Sequence, residues 1–192
     1  MKHLFGLAAA LILAVGAGAQ PGKQAAAWTT LFDGKNLDNF NPVGNANWKL
    51  ANGIVEANTG VGFLVSKASY KDFEVRAEFW VDGPANSGVF VRCTNPLEIA
   101  AANAYEVNVF DTRPDQTYAT GSIVNVSKSS QPMIAANKWN TFEIRAQGTH
   151  LEVTLNGVKT VDARDDKFAE GRISLQASAG TVRFRLVQVR PL

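Results

Sequence analysis

Phe73-Glu74-Val75-Arg76-Ala77-Glu78-Phe79-Trp80-Val81 is the longest alternation in the chain. Phe73, Val75, Ala77, Phe79 and Val81 share one parity, and Glu74, Arg76, Glu78 and Trp80 share the other. A helix would spread both sets around its axis, whereas a strand sends them to opposite faces. The segment therefore reads as a half-buried antiparallel strand with a core side and a solvent side.

The same period governs the neighbouring residues. Asn86-Ser87-Gly88-Val89-Phe90-Val91-Arg92 and Tyr105-Glu106-Val107-Asn108-Val109-Phe110-Asp111 read as two further strands. Tyr105, Val107 and Val109 take one face of the second, and Glu106 and Asn108 take the other. In the first, Val89 and Val91 share a face and Arg92 points away from it. Paired in one sheet, these strands are expected to bring Arg92, Glu106 and Asn108 together on one open face. Asp111 has the parity of the core side, so it reaches that face only if the strand ends or bulges near Phe110.

Further out, Trp28–Phe32 reads as a strand stopped by Asp33-Gly34, and Leu37–Asn47 as a loop. Asn52-Gly53 joins Trp48–Leu50 to Ile54–Ala57, and Asn156-Gly157 joins Leu151–Leu155 to Val158–Val161. Both are strong two-residue hairpin signals. Phe63–Val65, Phe142–Gln147 and Arg172–Gln176 read as strands, and Gly121–Val126 as a weaker one. In the last segment Val182, Phe184 and Leu186 share a parity that Val187 and Val189 do not, which predicts a bulge near Leu186-Val187. Only Asp165–Ala169 hints at a helical turn. Many short strands without a convincing helix predict an all-β fold in which two antiparallel sheets pack as a sandwich. A curved sandwich presents a concave polar face suited to a carbohydrate.

Composition narrows the functions. The chain has 192 residues, 46% hydrophobic and 19% charged, with a net charge of +2. Such a small charge, with scattered basic residues, argues against nucleic acid or an anionic membrane as partner. Cys93 is the only cysteine, which excludes an intrachain disulfide and reads as a buried, inert thiol. His3 and His150 are the only histidines, and His150 reads as part of a tight turn, so a Ser-His-Asp triad or a multi-histidine zinc site is not expected. Met1–Ala19 reads as a signal peptide, with Lys2 and His3 before the apolar run Leu4–Val15 and small residues at Ala17-Gly18-Ala19. The run is short for a membrane span, and no cysteine follows it to carry a lipid anchor. The expected organisation is a signal peptide over 1–19, a linker over 20–27 and one domain over 28–192. The expected destination is the periplasm or the medium, with cleavage near Ala19.

A set of motifs then resembles a known family. Trp28-Thr29-Thr30-Leu31-Phe32-Asp33-Gly34, Asp72-Phe73-Glu74, Asn86 to Arg92, Tyr105 to Asp111 and Thr120-Gly121 occur in its order. Trp139-Asn140, Leu155-Asn156-Gly157, Gly171-Arg172-Ile173-Ser174-Leu175-Gln176 and Phe184-Arg185 complete the set. Together they are similar to the 3-keto-disaccharide hydrolases, also described as 3-keto-glucoside-1,2-lyases and 3-keto-2-hydroxy-glucal hydratases. The resemblance implies a two-sheet antiparallel jelly roll of the concanavalin A-like, glucanase type. It implies an enzyme that cleaves 3-keto-glycosides by lyase and hydratase chemistry, or by net hydrolysis. The family usually places a histidine soon after its Leu-Gln, where this chain continues Ala177-Ser178-Ala179-Gly180, and a glutamine where this chain has Asn108.

A 3-keto group acidifies the proton on C2, so the chemistry needs a general base, an acid for the leaving oxygen and a donor for the enolate oxygen. The residues expected to supply them are Glu106 as base or acid, Arg92 for the enolate, and Asp111 as a second acid–base group or a cation ligand. Asn86, Ser87, Asn108, Gln176 and Trp80 are the expected sugar contacts. No metal ligand set is named, and the one cofactor left open is a divalent cation. The expected partner is a sugar or glycoside, and no oligomeric state is implied. Simpler readings stand beside these. Arg92 and Glu106 would form only a cross-strand ion pair, Asp111 would start a turn, Asn86-Ser87-Gly88 would be a strand entry, and Trp80 would pack under a loop. At the level of function, the alternatives are a lectin-like carbohydrate-binding module and a structural β-sandwich.

Overall fold

The structure, a computed structural model, describes residues 26–192. The expected signal peptide and all but the end of the expected linker lie outside the described residues. In chain order the strands are β1 (Thr29–Phe32), β2 (Phe40–Gly44), β3 (Lys49–Ala51), β4 (Ile54–Ala57), β5 (Gly62–Tyr70), β6 (Phe73–Val81) and β7 (Asn86–Cys93). There follow β8 (Tyr105–Val109), β9 (Trp139–Gln147), β10 (His150–Leu155), β11 (Val158–Arg164), β12 (Gly171–Ala179) and β13 (Val182–Pro191). Among the described residues no helix is long and apolar enough to cross a membrane.

All the pairings between these strands are antiparallel, and they form two sheets. Sheet A runs β11-β10-β9-β6-β13-β4-β3, with β1 also on β13, and sheet B runs β2-β5-β12-β7-β8. The core lies between them. Phe73, Val75, Ala77, Phe79 and Val81 of β6 are all buried there, as their alternation predicts. They meet Leu64 of β5, Val89 and Val91 of β7, Val107 and Val109 of β8, and Ile173 and Leu175 of β12. Each Val, Leu, Ile or Phe among them contributes roughly 1.5–3 kcal/mol by leaving water. The fold is thus the expected all-β jelly-roll sandwich.

Local signals explain several junctions. Asn52 and Gly53, at φ 52° and 77°, and Asn156 and Gly157, at 53° and 81°, turn through left-handed conformations that match the twist of a hairpin. The predicted bulge in β13 is present, with the register against β6 shifting between Phe184 and Leu186. It returns Val187 and Val189 to the core.

Elsewhere the structure corrects the sequence reading. Leu37–Asn47 is not all loop, because Phe40–Gly44 pairs with β5. Pro42 is tolerated there because β2 is an edge strand, where a missing backbone N–H costs no ladder bond. Gly121–Val126 is not a regular strand. It makes isolated bridges at Ile123 and covers the free edge of β8, with Val124 N–H donating to Glu106 O at 3.0 Å and Asn108 N–H to Ser122 O at 3.0 Å. Asp165–Ala169 forms no helical turn. The Asp165 carboxylate instead accepts from the Tyr105 hydroxyl at 2.7 Å and the Lys167 amide at 2.9 Å.

Candidate functional site

The residues of sheet B that do not face the core form a grid on its outer side. One row across the strands is Val43, Phe63, Gln176, Gly88 and Asn108. The next is Asn41, Val65, Ser174, Phe90 and Glu106. The loop between β7 and β8 closes one border, where Ile99 and Ala104 pack with Val65, Phe90 and Cys93 in a cluster separate from the main core. The Cys93 thiol lies in this apolar cluster, and burial pushes it up to about 12, so it is an inert packing group. Phe63 meets Phe90 edge to face at 5.5 Å and, being half-buried, still offers part of its ring to solvent.

Glu106 is the carboxylate of this face. Burial among Phe90, Ser174 and the covering segment raises its pKa to about 7, and the nearby Arg113 charge offsets only part of that shift. Its carboxylate makes no hydrogen bond or ion pair with the described residues. Around this half-buried carboxylate, Ser174 Oγ, Gln176 Oε1, Asn108 Oδ1 and Arg113 Nε are buried without a partner. Such atoms are uncommon in a folded protein, and a concentration of them on one face is what a site looks like before its ligand supplies the missing bonds. Gly88 lies between Gln176 and Asn108. A Cβ there would sit 3.0 Å from Val107 O and 3.5 Å from Gln176 Oε1, so glycine lets β8 and the Gln176 side chain approach the strand closely.

Asn108 and Asp111 belong to the wall of the site. Asn108 is buried, with its amide nitrogen donating to Tyr118 O at 2.5 Å. β8 does end before Asp111, as required for that side chain to leave the core side. Its carboxylate then clamps the following loop, accepting from Thr120 Oγ1 at 2.5 Å, Ala135 N at 3.0 Å and Ala136 N at 2.8 Å. The Thr120 hydroxyl also accepts from Phe110 N at 2.9 Å. Asp111, expected as a second acid–base group or a cation ligand, with a turn start as the simpler reading, has its carboxylate engaged by Thr120, Ala135 and Ala136.

The expected convergence of Arg92 on Glu106 does not occur. Between Phe90 and Cys93, β7 holds one more residue than the facing stretch of β12, and Arg92 takes a left-handed φ of 54°. This bulge reverses the parity and buries Arg92. Its guanidinium donates to Lys71 O at 2.8 and 3.0 Å, Gly148 O at 2.8 Å and Phe168 O at 2.9 Å, with Asp72 at 3.3 Å. It ties turns from both sheets together at one end of the sandwich. Its pKa is lowered by burial, with Asp72 and Tyr105 pulling the other way.

The expected sugar contacts divide in the same manner. Asn86 and Gln176 lie on the outer face of sheet B with Glu106, whereas Ser87 faces inward and donates to Gln176 O at 2.7 Å. Trp80 is on the opposite side of the molecule, on the outer face of sheet A, with the Arg183 guanidinium 4.3 Å above its ring. It lies next to Trp139 across β6 and β9. Ser174, Phe63 and Arg113 were missed. The first two follow from the strand parity once the outer face of sheet B is known, while Arg113 lies in a loop with no periodicity.

His150, Glu152 and Asp162 form a group with ligand-type atoms close to one another on sheet A. Lys159 already fills its centre, with Nζ 2.5 Å from Glu152 Oε1 and 2.9 Å from Asp162 Oδ2, and His150 Nε2 lies 2.8 Å from Asp162 Oδ1. His150 and Lys159 together hold the Asp162 carboxyl below its usual range. A cluster carrying its own cation fits a divalent ion poorly, and it shares no element with the Glu106 face.

Comparison with known proteins agrees with this fold. A crystal structure from Parabacteroides distasonis ATCC 8503, provisionally named a glycosyl hydrolase, is 26% identical, with TM-score 0.73 over 86% of this chain and all (100%) of that one. The carbohydrate-binding module CBM66 from Bacillus subtilis is 20% identical, with TM-score 0.62 over 87% of this chain and 97% of the module. The VIP36 exoplasmic/lumenal domain, solved with Ca2+ and mannose, is 11% identical, with TM-score 0.59 over 80% and 83% of the two chains. No curated protein matches the chain. The fold is therefore that of glycosyl-hydrolase-like and carbohydrate-binding jelly rolls. The model of the 3-keto-alpha-glucoside-1,2-lyase-like domain matches residues 27–190, and the chain belongs to that family.

Proposed function

We propose that this chain is an exported enzyme that cleaves 3-keto-glycosides on the outer face of sheet B, with Glu106 carrying the proton. The observation that carries this reading is the Glu106 carboxyl itself. It is half-buried beside Phe90 and Ser174, burial lifts its pKa to about 7, and it lies next to unpartnered polar atoms. A carboxyl with that pKa is divided between base and acid near neutral pH, as a group must be that first takes and then returns a proton.

In the first step the Glu106 carboxylate takes the C2 proton. The C2–H electron pair moves into a C2–C3 double bond, and the carbonyl oxygen on C3 becomes an enolate oxygen. The enolate then re-forms the ketone, a C1–C2 double bond appears, and the C1–O bond breaks with its electrons on the leaving oxygen. Glu106, now a carboxylic acid, protonates that oxygen. Adding water across C1–C2 returns a 3-keto-sugar and completes a net hydrolysis. Gln176 Oε1 and Ser174 Oγ are acceptors for sugar hydroxyls, and Phe63 is an apolar platform for the ring. The basic start and apolar run of Met1–Ala19 support export, with residues 28–192 as the working domain.

A second reading is a binding module without turnover, which the likeness to CBM66 favours. Proton NMR on the mature chain separates the two, using a methyl 3-keto-glucoside and its parent glucoside. The enzyme consumes the keto-glycoside, releases methanol and 3-keto-glucose, and leaves the parent intact. Saturable binding of either compound without methanol release contradicts the enzyme and supports the module.

A further inference from the structure

The elimination creates negative charge on the C3 oxygen, and Arg92, the cation that the sequence put forward to meet it, is buried and committed to the carbonyls of Lys71, Gly148 and Phe168. We infer that Arg113 is the electrophilic group of this site, its guanidinium donating to the C3 oxygen as the enolate forms. This role rests on the proposed 3-keto-glycoside chemistry and deepens it.

The hydrogen-bond inventory singles Arg113 out. Among the described residues Arg76, Arg145, Arg183, Arg185 and Arg190 are paired with carboxylates. Arg92 and Arg172 donate to backbone carbonyls, and Arg164 reaches Thr149. The guanidinium of Arg113 has no acceptor among the described residues, although its Nε is buried. A buried N–H donor without an acceptor is costly, and here it belongs to a half-buried guanidinium. The other orphaned atoms beside Glu106 are acceptors or a hydroxyl, namely Gln176 Oε1, Asn108 Oδ1 and Ser174 Oγ. Arg113 supplies the complementary element, a donor only, suited to a carbonyl that becomes an oxyanion.

The position is held by the chain. The Asp111 clamp on Thr120, Ala135 and Ala136 fixes the loop that carries Arg113. Gln116 Nε2 bonds the carbonyls of Asp111 and Arg113, and Arg113 N–H donates to Phe110 O at 3.4 Å. Arg113 also acts on Glu106 through space, lowering the carboxyl against the effect of burial. The facing strands bring only Phe90, Ser174 and Val65 to Glu106, all uncharged, and Asp115 lies beside Arg113 on the same loop.

The balance of the step is complete without a co-reactant. The C2–H bond breaks with the proton going to Glu106, and the electron pair ends on the C3 oxygen within reach of the Arg113 N–H groups. It returns through C2 to expel the C1 substituent.

The test compares Arg113→Gln and Arg113→Lys with the wild-type chain on a methyl 3-keto-glucoside, and follows the carboxyl of Glu106 by 13C NMR titration. Arg113→Gln is expected to lose about 10²–10³ in kcat with little change in KM. Arg113→Lys retains part of the activity, and millimolar guanidinium restores part of it to Arg113→Ala. The Glu106 titration moves above its wild-type midpoint in Arg113→Gln, a change that loss of packing alone would not produce. Wild-type turnover that survives unchanged in folded Arg113→Gln overturns this role and leaves the proposed function standing. Absence of turnover in the wild-type chain overturns the proposed function, and this role with it.

Discussion

On the outer face of sheet A, Arg183 lies 4.3 Å over Trp80 and bonds Glu56 at 2.5 Å, while Arg185 lies 4.3 Å over Trp139 and bonds Glu78 at 2.6 Å. Trp28 is held between Arg76 and Arg190, 5.1 and 4.7 Å from their guanidinium carbons, and these arginines pair with Glu143 and Glu74. On the outer face of sheet B, Glu106 has no paired cation, and Gln176, Ser174 and Asn108 each hold a buried polar atom without a partner. Both faces contain aromatic rings, a carboxylate and an arginine. They differ in whether those groups satisfy one another. The face of sheet A even contains a cavity of about 280 Å³ lined by Trp28, Glu74, Arg76, Glu143, Arg145 and Arg190, but its charges are already matched. A ligand there would have to replace bonds that exist, whereas on sheet B it completes bonds that are missing.

The largest effect should come from a residue on neither face. Arg92→Met removes the donor of four carbonyl bonds that join turns at one end of the sandwich. It should cost about 3–5 kcal/mol in urea unfolding. Its activity per folded molecule should stay near wild type. A stable Arg92→Met with no turnover would return Arg92 to the catalytic role that its sequence position suggested. Asp111→Ala comes next, because three buried or half-buried donors lose a carboxylate acceptor. The expected cost is about 2–3 kcal/mol, together with faster amide exchange at Ala135 and Ala136.

Glu106 sharpens the comparison through pH. Its folded-state pKa of about 7 lies above the unfolded value near 4.3, so between these values the folded state holds a proton that the unfolded state has lost. Stability attributable to this group is therefore highest below about pH 4 and falls as pH rises to about 7. Glu106→Gln should be more stable than wild type at pH 8, by an amount on the order of 2 kcal/mol after allowance for partial exposure. The difference should vanish near pH 4 in thermal or urea melts. A variant less stable than wild type at pH 8 would mean that Glu106 has partners of its own. The smallest effect belongs to sheet A. Trp80→Ala removes one half-buried cation–π contact and should cost about 1 kcal/mol, with kcat and KM unchanged. Loss of sugar binding in Trp80→Ala would move the site to the other face.

The sequence made the sandwich legible because most of its strands have one wet and one dry side. Phe73–Val81 shows this in nine consecutive residues, and the Asn-Gly pairs at 52–53 and 156–157 fix two hairpins by backbone chemistry alone. Glu106 was legible for the same reason, since the parity of Tyr105, Val107 and Val109 leaves it facing out. Arg92 was not. An extra residue in β7 reverses the parity within one step, and nothing in Val91-Arg92-Cys93 announces it. Asp111 was read as a polar group near a strand end, but its partners lie nine, 24 and 25 residues away in a loop whose path has no local signal. Arg113 was invisible for a related reason. Its significance lies in the partner it lacks, and only the packed chain can show a missing hydrogen bond.

The central claim is that the half-buried carboxyl of Glu106, on the outer face of sheet B, moves the proton. The most direct measurement is kcat/KM against pH on a methyl 3-keto-glucoside for the wild-type chain and Glu106→Gln. The wild type should rise with pH through a limb near 7 as the base form appears. The variant, folded and at least as stable, should be slower by about 10²–10⁴ and show no such limb. Wild-type rates in Glu106→Gln, or an unchanged limb in that variant, would contradict the claim.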